Sequence, residues 1–256
     1  MNEILTLLMS YHAIAADQAQ SAALVFLRVG AVMATLPAFG ETFVPARIRL
    51  VLAVMFSAAV FPGVQPMLKG IPLESGFAPE VAIGLALGLM VRLFVLSLMT
   101  AGSIAANATS LSQLFPAGAE AQPAVSKLLV TAGLALAVTT GLHLRVLDYL
   151  ILGYDLLPAG QWPSAGLMAE WGVAQTSHAF AMAFMIAMPF VIASLLYNVA
   201  LGVINRAMPQ LMVMFVGAPA LGLGGLMLIA VVAPVALLVW LHALNSFLVA
   251  PAAPIP

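Results

Sequence analysis

Cysteine is absent from the 256 residues, and charge is scarce: 7% of the chain is Asp, Glu, Lys or Arg. The first absence removes disulfides, thiolate metal sites and cysteine nucleophiles together. The second removes a water-facing surface, since soluble domains carry about 25% charged residues. A net charge of −1 gives no footing for nucleic acid. What remains is 64% hydrophobic with a mean hydropathy of +1.14. Such a chain lives in a bilayer or is covered by partners on nearly every face.

Chemistry is equally sparse. His12, His143, His178 and His242 are scattered, and none has a second ligand at helical spacing. No G-x-x-x-x-G-K-[ST] loop is present for a nucleotide, and no Ser/His/Asp arrangement has any spacing logic. The reading is a protein without enzyme activity, cofactor or metal. The start "MNEILTLLMSYHAIAAD" ends in an A-x-A-like stretch, but Glu3 stands where a signal peptide needs basic residues. It reads as a short first helix or interfacial arm.

The apolar runs fall at about 20–39, 48–64, 78–104, 125–144, 173–203 and 211–249, and a span needs roughly 20 residues. The expected fold is therefore an all-α membrane protein of about six long helices in one domain, 1–256. Pro189, Pro219 and Pro234 interrupt the last two runs, so kinked helices are expected there. With six spans, the first, third and fifth connections hold Arg47, Arg49, Lys127 and Arg206. The second and fourth hold Lys69 and Arg145 among five acids. Basic residues favour the cytoplasm, which favours the odd connections there and both termini outside, an orientation that a seventh span near the N-terminus would invert.

Arg28 and Arg92 fall inside apolar runs. A mid-membrane arginine costs a few kcal/mol or more, so it faces protein or water. The two sites either line a path or anchor helices through carbonyls and carboxylates, and anchoring is the weightier reading. The nine acids fall in connections or at span ends, Glu80 among them. No span interior is expected to hold one, which weighs against a self-contained proton antiporter. Met182, Met185 and Met188 make a helical stripe, read as a packing face of adaptable thioethers, with a seal around a moving polypeptide as the sharper alternative.

Two interruptions stand out. "SQLFPAGAEAQPAVSK" (Ser112–Lys127) is small, Gly/Pro-broken and weakly polar. "INRAMPQL" sets Asn205, Arg206, Pro209 and Gln210 between two long apolar runs. Arg206 and Gln210 there can cap the open groups of adjoining helix ends.

Three motifs in order, "LPAFGETFVPARIRLVLAVMFSAAVFP", "GLHLRVLDYLILGYDLLPAG" and "LGVINRAMPQLMVMFVGAP", strongly resemble the FliR family of flagellar export-gate subunits. The resemblance runs from about Leu24 to Leu248. It implies a spiral helical core complex with FliP-like and FliQ-like subunits and an FlhB-like subunit, in the bacterial inner membrane at the flagellar basal body. Unfolded flagellar proteins would cross through its pore. By position, the loop holding Gln113, Leu114, Phe115, Pro116, Gly118, Glu120, Gln122 and Pro123 corresponds to the family's pore plug. An Asp-Pro often found at its start is replaced here by "LFPAGAEAQP". The Asn205–Gln210 elbow would be a cytoplasmic hairpin turn that contacts neighbouring subunits. The runner-up is the homologous subunit of a virulence-type secretion system. A small-solute secondary transporter with broken helices is the alternative of a different class.

Overall fold

The computed structural model describes residues 2–40, 44–109, 123–208 and 213–252. Among them the chain is helical, without strands: α1 (Asn2–Thr35), α2 (Ala46–Leu68), α3 (Leu73–Ala108), α4 (Ala124–Thr139), α5 (Leu142–Leu156), α6 (Ala165–Ala207) and α7 (Val213–Val249). Helix is the state such a sequence needs, because it satisfies backbone donors and acceptors within one segment when water is absent. Prolines punctuate the ends. Pro45 and Pro123 are the residues before α2 and α4, both at extended angles, where a missing N–H costs nothing. Others lie inside helices, at Pro62 and Pro66 of α2, Pro79 of α3 and Pro189 of α6.

The elements depart from the sequence expectation in three places. The amino-terminal arm is not a separate short helix, since it is continuous with the first apolar run in the 34-residue α1. The 125–144 run is not one continuous helix. It breaks at Thr140–Gly141, where Gly141 takes φ 91°, and α4 and α5 diverge by 78°. Thr140 Oγ1 also turns back onto the Leu136 carbonyl at 2.8 Å. Finally, among the described residues four stretches are long and apolar enough to cross a membrane: α2, α3, α6 and Ala220–Val249 of α7. The bent α4–α5 pair is a fifth if its two halves are counted as one span.

The chain forms two compact units. The first comprises Met1–Arg92, Gly141–Val173 and Asn245–Pro256, the second Leu93–Thr140 and Ala174–Leu244. In the first, α1 packs along α2, and α2 also meets α5. Leu24, Val29, Val32, Val64, Leu87 and Leu150 are fully buried there. Gly84 and Gly88, one turn apart on α3, let its backbone lie directly on α1. A Cβ at Gly84 would strike the Arg28 carbonyl, and one at Gly88 the Thr35 hydroxyl and, at 2.9 Å, the Val32 carbonyl oxygen. This is the small-residue contact that lets apolar helices approach closely.

In the second unit, Ala105, Ala106, Val125, Leu129 and Phe190 form a core against which Leu228, Ile229 and Val232 pack. Trp240 is fully buried. Its Nε1 donates to the Phe94 carbonyl at 2.7 Å, and Gly133 leaves room for its ring.

Candidate functional site

The densest polar cluster among the described residues surrounds Arg28, in the first unit. Arg28 comes from the α1 face that carries Leu24, Val25, Val29 and Val32 into the core. Its guanidinium is fully buried and every part of it is used. Nε donates to Glu80 Oε2 at 2.6 Å and Nη2 to Glu80 Oε1 at 2.9 Å. Nη1 donates to the carbonyls of Gly153 at 3.2 Å and Leu157 at 3.0 Å. The Tyr154 ring lies 3.8 Å from the guanidinium carbon, a cation–π distance. Glu80 Oε1 also accepts the Gly160 N–H at 2.9 Å.

Each partner has a local reason to be there. Glu80 follows Pro79 in the third turn of α3, on the part of the helix that meets α1 and the end of α5. Gly153 and Leu157 offer carbonyls where α5 stops, which a cation satisfies. The bidentate pair is the strong form of a charge-assisted bond. The arrangement neutralises an arginine away from water and ties α1, α3 and the end of α5 together. It presents no nucleophile, base or open coordination position.

Glu80 corrects the sequence reading. It is a fully buried carboxylate inside α3, one of the helices apolar enough to span, and not a residue of a connection. Its position just after a proline at the edge of an apolar run concealed that. The arginine inside the first apolar run was the available signal, since it had to find carbonyls or a carboxylate within the protein.

The other predicted residues are not gathered around this cluster. Arg92 is half-buried on α3 and donates from Nη1 to the Thr35 carbonyl at 3.4 Å. Asn205 and Arg206 lie exposed in the last turn of α6, and Pro209 and Gln210 fall outside the described residues. Of the plug stretch, Gln113, Leu114, Phe115, Pro116, Gly118, Glu120 and Gln122 also fall outside them. Pro123 is described and precedes α4 with φ −60° and ψ 148°.

The methionine stripe divides. Met182 is buried, with Ser97 Oγ 3.5 Å from its sulfur, while Met185 and Met188 are exposed. They line a shallow hollow of about 710 Å³ with Phe184, Pro189, Ile192 and Leu196. His178 sets its ring edgewise to Phe94 at 6.1 Å. Among the described residues no group of three or more His, Asp or Glu could hold a metal ion.

Comparison with known proteins places this helical chain. Residues 19–247 match the family described as bacterial export proteins, family 1. The flagellar biosynthetic protein FliR of Caulobacter vibrioides is 34% identical over 233 residues, covering 88% of this chain and 93% of that protein. FliR of Escherichia coli is 31% identical over 219 residues, covering 81% and 82%. FliR of Aquifex aeolicus is 29% identical over 204 residues, covering 76% and 78%. The matched segment takes in all three motifs of the sequence, from Leu36 through Pro219, and the Arg28–Glu80 cluster with them. The chain belongs to the FliR family of bacterial export proteins.

Proposed function

We propose that this chain, a membrane subunit of the flagellar type III export gate, is a non-enzymatic core component. It sits among FliP-, FliQ- and FlhB-like subunits in the bacterial inner membrane at the flagellar basal body, and unfolded flagellar proteins pass through the pore it helps to build. The observation that carries this reading is the family match across residues 19–247. The flagellar names of the relatives favour a flagellar gate over a virulence-type one. The exposed apolar faces of α6 and α7 add support, with Phe184, Leu195, Leu196, Met227 and Val231 all uncovered. Contiguous apolar surface on this scale is covered by lipid or by partner subunits. A solute transporter is the poorer reading, because the buried carboxylate Glu80 is committed to Arg28 and to the Gly160 amide.

The test is co-production. With FliP- and FliQ-like subunits the chain is expected to purify as one assembled complex. Alone it is expected to aggregate or be degraded, and a monodisperse folded monomer in mild detergent would sink the proposal.

Within that reading, Ser112–Pro123 is proposed as the pore plug and Asn205–Gln210 as a cytoplasmic turn contacting other subunits. A plain connection tolerates shortening, because loop closure depends weakly on length. Removing about four residues around Gly118 is expected to leave assembly intact while small ions or dyes leak across the inner membrane. An assembled complex that stays tight and still exports reduces this stretch to an ordinary loop.

A further inference from the structure

We infer that the Arg28–Glu80 pair is a directional latch. It positions the connection between α5 and α6 (157–164) against the turn between α2 and α3 (69–72), and neighbouring backbone groups dictate which side carries which charge.

The connection cannot position itself. Pro158, Gly160 and Pro163 keep it from being helical, so side chains from elsewhere must hold it. Arg28 Nη1 takes the Leu157 carbonyl, and Glu80 Oε1 takes the Gly160 N–H. One ion pair thus grips the same connection twice, through backbone groups of opposite polarity. The Gly153 carbonyl adds a second acceptor on the cation side. The gripped segment reaches the α2–α3 turn. A Cβ placed on Gly160 would lie 3.8 Å from Ile71 Cβ and 2.7 Å from its Cγ2. Beside this contact lies a hollow of roughly 500 Å³, lined by Met67, Gly70, Pro72, Tyr154, Pro158 and Gln161 among others. Two connections far apart in sequence therefore meet at one end of the first unit.

A buried ion pair adds little net stability over an apolar pair of similar volume. What it supplies here is geometry, and geometry with a sign. Exchanging the residues would aim a carboxylate at two carbonyl oxygens and an arginine at an N–H, so acceptors would face acceptors and donors would face a donor. A latch of this kind is not rescued by exchanging its charges, whereas a simple ion pair is.

The absence of cysteine makes the test clean. Ile71→Cys with Gly160→Cys places two Cβ atoms at the separation disulfides prefer, about 3.8 Å. Gly160 has φ 70°, so this cysteine pair is present in every arm and its strain is common to all. Oxidation is followed in membranes of cells producing the chain with its partner subunits. The chain otherwise unaltered is expected to cross-link readily. Glu80→Gln is expected to slow cross-linking about tenfold by lowering the effective concentration of the two thiols. The exchange Arg28→Glu with Glu80→Arg is expected to be no faster than Glu80→Gln. Arg28→Lys, which keeps the charge and some donors, is expected to fall between.

Failure to cross-link without latch substitutions, or parental rates in Glu80→Gln, overturns the proposal. So does rescue by the exchange. If a variant assembles poorly, the rate is read on the assembled fraction, and a parental rate there reduces the pair to a structural tie and ends the latch. The latch rests on the export-gate reading only for the assembled fraction: absence of co-purifying partner subunits fails that reading, while the relative cross-linking rates of the arms test the latch, so the two can fail separately.

Discussion

Trp240 and Arg28 head the large side chains that are fully buried, and they organise different units in different ways. In the unit that holds Arg28, polar groups reach across elements. Tyr149 Oη donates to the Leu87 carbonyl at 3.0 Å, and Trp171 Nε1 to the Pro251 carbonyl at 3.1 Å. Phe247 lies against both of those rings. In the second unit most hydroxyls turn back onto their own helix, as Ser97 does to Phe94, Ser103 to Met99 and Thr109 to Ala105. Trp240 to Phe94, Ser126 to Met99, Ser103 with Ser126 and Ser97 to the Met182 sulfur tie its helices to one another. The second unit packs by shape, through small residues such as Gly102 against Ser126, and leaves long apolar faces open. Polar ties specify partners one to one. Apolar faces accept any surface that fits, and both units leave such faces open, on α2 in the first and on α6 and α7 in the second, so what the first unit adds to its own specification lies in its polar ties.

The comparison breaks hardest at the buried charge. Glu80→Leu strands Arg28 without a counter-ion and is expected to cost about 3–5 kcal/mol. Arg28→Met with Glu80→Leu is expected to restore most of that stability. Thermal unfolding of the purified complex checks both, and a double variant as unstable as the single would show that the charges stabilise beyond their geometry.

Trp240→Ala tests the second unit at similar size, about 3–5 kcal/mol through lost burial and a cavity. Trp240→Phe keeps most of the ring and removes one of the donors on the Phe94 carbonyl, which Ser97 Oγ still serves, at about 0.5–1.5 kcal/mol. Near-equal losses for Ala and Phe would make the hydrogen bond, and not shape, the organiser of that unit.

Gly88→Leu on α3 drives a side chain into the Thr35 end of α1. Overpacking of this kind costs about 1–3 kcal/mol, visible as a lowered unfolding midpoint. An unchanged midpoint would mean that α1 and α3 separate easily and that the polar ties alone hold the first unit.

The smallest effect on the chain's own stability is expected at Leu196→Asn, since Leu196 is 65% exposed on α6. Surface changes stay within about 0.5 kcal/mol. Its effect on association is expected to be larger: FliP- or FliQ-like subunits should co-purify in reduced amount. Full recovery of the complex would assign that face to lipid.

Much of this was readable from the sequence. Low charge and long apolar runs led to the all-α membrane class, and ordered motifs led to the family. Span edges were close, with 48–64 realised as Ala46–Leu68 and 78–104 as Leu73–Ala108. The bend at Gly141 was not readable, because "TTGLHL" interrupts the apolar run too briefly for composition to register. The glycine pair in "GLALG" is readable as a small-xxx-small helix contact. What it contacts, the Arg28 carbonyl and Thr35, is not written in its own helix.

The sequence by itself determined the medium and the backbone state. With 7% charge the chain cannot face water over most of its surface, and away from water helix is the state that keeps its backbone paired within each segment. It also determined that Arg28 had to face protein or water and not lipid. Only the tertiary structure decided that the counter-charge is Glu80, 52 residues away, and that Gly153, Leu157 and Gly160 complete the site. In a medium without water a charge is satisfied by whichever group lies within about 3 Å. That choice belongs to folding, since separation along the chain sets no such distance.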